Sequence, residues 1–208
     1  MNVDKISFTS KINFVDSKTF YNVCTGRYID FSDAKKSIVK ADEFYTEAVR
    51  TCSAGGLCKS TTEESLGYHI YDDIKRSTPI EYFVNDMFSR IENPDRALLL
   101  GGKRLRFNAT ESMKRFHELK NTLFERVKNV TYFEEHAIPD SESNLCYINH
   151  DDTWYINTVF KDYKTGKDMC VDTLEKLLKA FKHISIAKGD TLYINDNQVK
   201  LSNDLYQR

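Results

Sequence analysis

Cys58, His136, His150 and Asp152 are the residues of this 208-residue chain whose types and order can do covalent chemistry. Cys58 follows Gly55-Gly56-Leu57 and precedes Thr62, where a helix is expected. A thiol at a helix N-terminus has its thiolate stabilised by the helix dipole. His136 follows an expected strand, and His150 stands with Asp151 and Asp152 on an expected hairpin turn. A cysteine, a histidine and a carboxylate serve a hydrolase or transferase when the fold joins them. The plainer reading is an ordinary, partly buried thiol and solvated turn residues.

A second chemistry is anion binding on the loop from Gly101 to Ala109. Gly101, Gly102, Lys103, Arg104 and Arg106 leave the end of an expected strand and enter an expected helix. Backbone N–H groups and the helix dipole favour an anion at such a place. Residues 94–136 hold nine Lys and Arg against six Asp and Glu, a basic local balance. The glycines fit neither G-x-x-x-x-G-K-[ST] nor G-x-G-x-x-G, so a small anionic or phosphate ligand is expected here only as an alternative to a tight turn with solvated basic residues.

Glu134-Glu135-His136 and His150-Asp151-Asp152 each set a histidine beside carboxylates. Glu134 and His136 share a face along a strand. A third ligand is missing from both, so neither a metal nor a cofactor is expected. The cysteines at 24, 52, 58, 146 and 170 are odd in number and irregular in spacing. They read as reduced thiols, since Cys52 and Cys58 are too far apart for a zinc knuckle and no second pair follows.

The bulk numbers narrow the class. The chain is 40% hydrophobic and 29% charged, with a net charge of −1. So balanced a composition argues against nucleic acid as a partner. No apolar run nears the roughly 18 to 20 residues that cross a bilayer. The first residues lack the features of a secretory signal. The expectation is a soluble, intracellular, cytoplasmic protein with no membrane partner; a bacterial protein exported without a classical signal peptide would look the same. The richness in Lys, Asn, Tyr and Ile fits an AT-rich genome.

The elements that must position these residues follow from periodicity. Residues 1–31 show short apolar alternation and read as an extended N-terminal arm. Ala34, Ile38, Ala41, Tyr45, Ala48 and Cys52 recur at spacings of four and three, which predicts a helix ending near Ser53-Ala54-Gly55-Gly56. Capping boxes at Ser60 and Thr61 predict a second helix to Lys75. Thr78-Pro79-Ile80-Glu81 starts a third, ended by Asn93-Pro94. Ala97–Leu100, a helix from Thr110 to Val127 and Val130–Phe133 follow the plan of a βαβ unit. Leu145–Asn149 with Thr153–Phe160, and Thr191–Ile194 with Gln198–Leu201, read as antiparallel hairpins. A helix capped by Asp172 should bury Leu174, Leu177, Leu178, Phe181 and Ile184.

The predicted fold class is α+β: a mixed sheet built on the βαβ unit over about 97–135 and extended by hairpins, with a helical first half packed on it. Residues 32–208 would form a single domain, or else a helical subdomain over 32–93 and an α/β subdomain over 94–208. The predicted function is a non-catalytic binding or protein-interaction domain, with a protein partner. The alternatives are an anion or phosphate site at Gly101–Ala109 and, behind it, a Cys58-based hydrolase or transferase.

Overall fold

The computed structural model describes residues 10–71, 78–103, 109–136, 138, 140–162 and 164–201. In chain order the strands are β1 (Lys11–Phe14), β2 (Arg27–Tyr28), β3 (Ile38–Lys40), β4 (Glu43–Val49), β5 (Ser53–Lys59), β6 (Glu64–Ile70), β7 (Arg96–Gly101) and β8 (Asn129–Glu135). They continue with β9 (Glu142–Ile148), β10 (Thr153–Lys161), β11 (Asp168–Cys170), β12 (Phe181–Ser185), β13 (Thr191–Ile194) and β14 (Asn197–Gln198). The helices are α1 (Ser17–Val23), α2 (Ile80–Arg90), α3 (Ala109–Arg126) and α4 (Leu174–Ala180). Among the described residues, no helix is long and apolar enough to cross a membrane.

The strands form two sheets. Sheet I runs β14-β13-β1-β10-β9-β4-β2, with β11 also on β10; sheet II runs β12-β8-β7-β5-β6-β3. Aromatic side chains of sheet I meet sheet II directly. The Phe14 ring lies 5.2 Å from that of Phe133 and 5.6 Å from that of Phe181. Phe44, Tyr147 and Trp154 stack along the same interface, with Tyr147 and Trp154 centroids 4.2 Å apart. The core therefore lies between two facing sheets. The α2–α3 pair covers the outer face of sheet II, where Phe116, Leu119 and Leu123 are fully buried. Helix α1 covers the outer face of sheet I, where Phe20 packs with Val15, Cys146 and Ile148.

This architecture overturns the predicted fold class. The first half is mostly strand: residues expected as a helix from Ser32 to Cys52 form β3 and β4, and those expected as a helix from Thr62 to Lys75 include β6. β7 and β8 pair in parallel with α3 between them, but as inner members of a sheet whose other half comes from that strand-forming first half. The hairpin strands β9, β10, β13 and β14 all belong to the other sheet. A single mixed sheet built on residues 97–135 does not exist.

The reason lies in the glycines. Gly55 and Gly56 looked like a helix cap, yet they sit mid-strand, and Gly56 pairs with Gly67 across β5 and β6. A Cβ on Gly56 would lie 2.6 Å from Trp154, and one on Gly67 would lie 2.4 Å from Phe44. The glycines make the hollow into which the aromatics of sheet I fit, a close approach that explains glycine inside a strand. In β4 the decisive pattern is alternation. Phe44 and Thr46 are fully buried, while Tyr45 packs against the α1 cluster on the other face. Helix α4 is shorter than predicted. It ends at Ala180, Phe181 and Ile184 belong to β12, and Leu174 and Leu178 are exposed.

Candidate functional site

One end of the sandwich gathers three turns. The β5–β6 turn, the short link before β4 and the β9–β10 turn lie side by side. Asn149 ties them, its N–H donating to the Asp42 carbonyl at 3.0 Å and its Nδ2 to the Glu63 carbonyl at 2.6 Å. Asp95 fixes the β5 end, accepting from Ser60 N–H at 3.0 Å and Ser60 Oγ at 3.1 Å. Asp152 closes the β9–β10 turn in the left-handed region, with φ 45°, a conformation that Asp tolerates better than most residues.

These turns surround a cavity of about 750 Å³. That volume is in the range of sites that hold a small molecule. Its carboxylates are Asp42, Glu43, Glu63, Glu64, Asp151 and Asp152, and its strong cations are Lys59 and Arg96. Arg96, from sheet II, reaches Asp152 of the sheet I turn at 2.5 Å. Asp152 also accepts from Ser10 Oγ at 2.9 Å and Tyr147 OH at 3.1 Å. The Arg96 side chain is only 9% exposed, and its Nε has no partner among the described residues. A buried guanidinium N–H without a partner is a rarity that costs stability.

Cys58 lies in the lining of this cavity, paired across the strands with Arg96. Burial pushes its thiol up to about 12, against the downward pull of Arg96 and of its Tyr147 hydrogen bond. At neutral pH it is a thiol, and the thiolate required of a nucleophile is absent. His150 is on the rim, 67% exposed, with Nδ1 3.5 Å from Glu43 and Nε2 3.3 Å from Asp151. Cys58, His150 and Asp152 thus line one cavity. His136 does not join them. Its N–H bonds to the Ala180 carbonyl at 2.8 Å, just after β8, at the opposite end of the sandwich.

The glycine loop is at that opposite end as well. Gly101 ends β7, and Gly102, at φ 76°, leaves no room for a Cβ beside Phe116. Lys103 is buried and donates to the Ser141 carbonyl at 2.7 Å, so its ammonium is directed inward rather than at a loop ligand. Arg104 and Arg106 lie outside the described residues. Nearby, Glu134 is buried among His183 at 3.3 Å, His117 at 3.8 Å, and Lys120 and Lys182 at 3.9 Å. Two lysines on the same carboxylate neutralise it and repel a metal cation. Glu135 beside it is buried with Ser143 Oγ on Oε1 at 2.8 Å, and burial raises its carboxyl to about 7.

Sequence reasoning missed Asp42, Glu43, Glu63, Glu64, Ser10 and Tyr147, and counted Arg96 only among the basic residues of 94–136. The first four fall where helices were predicted or at their starts. Read as the turn between two glycine-bearing strands, Ser60-Thr61-Thr62-Glu63 would have pointed to the cavity rim. No protein-family model and no curated protein matches the chain.

Proposed function

We propose that this protein is a non-catalytic binding domain whose cavity takes a small organic cation, an amine or guanidine. The observation that carries this reading is the charge of the lining: six carboxylates against Lys59 and Arg96. Several of the acids are already compensated, Glu64 by Lys40 and Lys59 and Asp152 by Arg96. Asp42, Glu63 and the His150-linked Glu43 and Asp151 remain to hold a cation at the rim. Carboxylates converging on a cavity wall focus a negative potential there. The cations of the lining, Lys59 and Arg96, favour a ligand that also carries a carboxylate. The protonated Cys58 thiol supports binding over covalent chemistry.

L-Arginine, agmatine, citrate and ATP make a discriminating set of probes in a thermal-shift and calorimetric titration. L-Arginine should bind more tightly than agmatine, which lacks the carboxylate. At about 100 times its dissociation constant it should stabilise the fold by roughly 2.7 kcal/mol. Asp42→Asn and Glu63→Gln should each weaken it about tenfold, the effect of losing one charge-assisted hydrogen bond. Stabilisation by the anions instead of the cations, or unchanged affinity in both variants, overturns the reading.

A further inference from the structure

We propose that Cys24 and Cys146 form a reversible disulfide that fastens the end of α1 to the outer face of sheet I. Cys146 is in β9, fully buried, and faces α1 together with Val15, Phe20 and Ile148. Cys24 caps α1, its N–H bonded to the Phe20 carbonyl at 2.8 Å, and its side chain packs against that same cluster. The two side chains thus meet in one small cluster on the outer face of sheet I. A second contact places them independently: Cys146 Sγ is 3.9 Å from the carbonyl oxygen of Val23, the residue before Cys24. Thiols packed in one cluster, one of them against the backbone beside the other, need a local adjustment to reach bonding distance. Cys24 ends a helix and begins a stretch without regular structure, so the approach can come from its side.

The pair is also chemically asymmetric. Its interaction with Cys24 holds the Cys146 thiol below its ordinary range, while Cys24, by the same interaction and by burial, is held above. Solvent reaches Cys24, which is half-buried, and not Cys146. A low-molecular-weight disulfide such as oxidised glutathione is the oxidant that suits this arrangement. The Cys24 sulfur attacks it through its small thiolate fraction, a step that is slow at neutral pH and quickens as pH rises; the oxidant's S–S bond breaks, and one glutathione leaves with the Cys24 proton. The Cys146 thiolate then attacks the Cys24 sulfur of the mixed disulfide, and the second glutathione leaves and takes up the Cys146 proton. Two protein thiols are oxidised and one glutathione disulfide is reduced to two thiols.

The tie reaches the cavity rim by a short path. Thr25, the next residue, donates to Glu43 Oε2 at 2.5 Å, and Cys146 precedes Tyr147. The disulfide itself stands apart from the binding reading, and its test uses no cavity ligand.

The full chain is incubated natively with oxidised glutathione and measured by intact mass and by non-reducing peptide mapping. The expected result is the loss of two hydrogens, a linked pair of peptides carrying Cys24 and Cys146, and a rise in Tm of roughly 5 °C that a dithiol reverses. Cys24→Ser should abolish the linkage and Cys170→Ser should leave it intact. Cys24→Ser alters a half-buried position and keeps the test open if Cys146→Ser does not fold. A persistent glutathione adduct on Cys24, or a linkage through any other pair, overturns the proposal. So does alkylation of both thiols in protein that has been exposed to the oxidant.

Discussion

His69 is a neutral imidazole sealed inside the protein. It is fully buried in β6, its Nδ1 is 2.6 Å from Thr46 Oγ1, and its ring stacks on Phe31 at 4.1 Å. Burial drives its pKa down to about 3 from the ordinary 6.5. A base with a lowered folded-state pKa gives stability that is complete above 6.5 and is lost as pH falls towards 3, because only the unfolded chain takes up the proton. Going from about pH 7 to about pH 4.5 should remove about 3 kcal/mol through this residue alone. Glu135 shifts the other way. Its raised carboxyl, facing Lys103 and Ser143, makes the fold less stable as pH rises from about 4.5 through about 7. The two groups oppose each other in the wild-type profile, so the contribution of His69 is read by difference. In urea unfolding at the two pH values, His69→Gln should cost stability at the higher pH and close most of that gap at the lower. Parallel pH profiles for wild type and variant would refute the assignment.

At the scale of elements, the β5–β6 hairpin decides the fold, and it is where sequence and structure part. Helices α2 and α3 were readable from their apolar spacing: Ile80, Phe83, Val84 and Met87 are buried as the period requires, while the expected Thr78 cap is not formed and Pro79 stands at the N-cap without a side-chain bond. The strands of residues 38–70 were hidden because small residues at positions 34, 41 and 48 imitate a helical stripe, while the glycines that look like a terminator face aromatics of other strands, distant Trp154 among them. No local pattern announces that Trp154 and Phe44 fill the space over Gly56 and Gly67. The cavity was lost with the hairpin, since the β5–β6 turn was read as a helix start and the link before β4 as mid-helix, and only the β9–β10 turn was read as a turn. The complementarity itself can be measured. Gly67→Ala places a methyl against the Phe44 ring and should destabilise by about 1 to 3 kcal/mol. Phe44→Leu alone should cost a similar amount through the space it opens. In the double variant the methyl occupies part of that space, so the sum should fall short of additivity by at least about 0.5 kcal/mol. Strict additivity in denaturant unfolding would mean that the glycine is not there for the ring.

At the scale of the whole molecule, Arg96 and Asp152 join the two sheets. Arg96 opens β7 in sheet II and Asp152 closes the β9–β10 turn of sheet I, so their ion pair crosses the core at the cavity end. Removing one partner leaves the other charge poorly compensated, which costs about 3 to 5 kcal/mol in a buried pair, and toward the lower figure here because Asp152 is 22% exposed. Arg96→Met and Asp152→Asn should each approach that loss, and the double variant should lose clearly less than their sum. The sheets share one core, so they should also fail together. Trp154 is the single tryptophan and sits between them against Gly56, so its fluorescence reports their separation. Backbone circular dichroism reports the strands themselves. In wild type and in Arg96→Met the two signals should trace one transition, displaced to lower urea in the variant with its slope unchanged. A fluorescence change that precedes the loss of strand signal would show that the sheets part before they unfold, and that the ion pair holds them together less than the aromatic packing does.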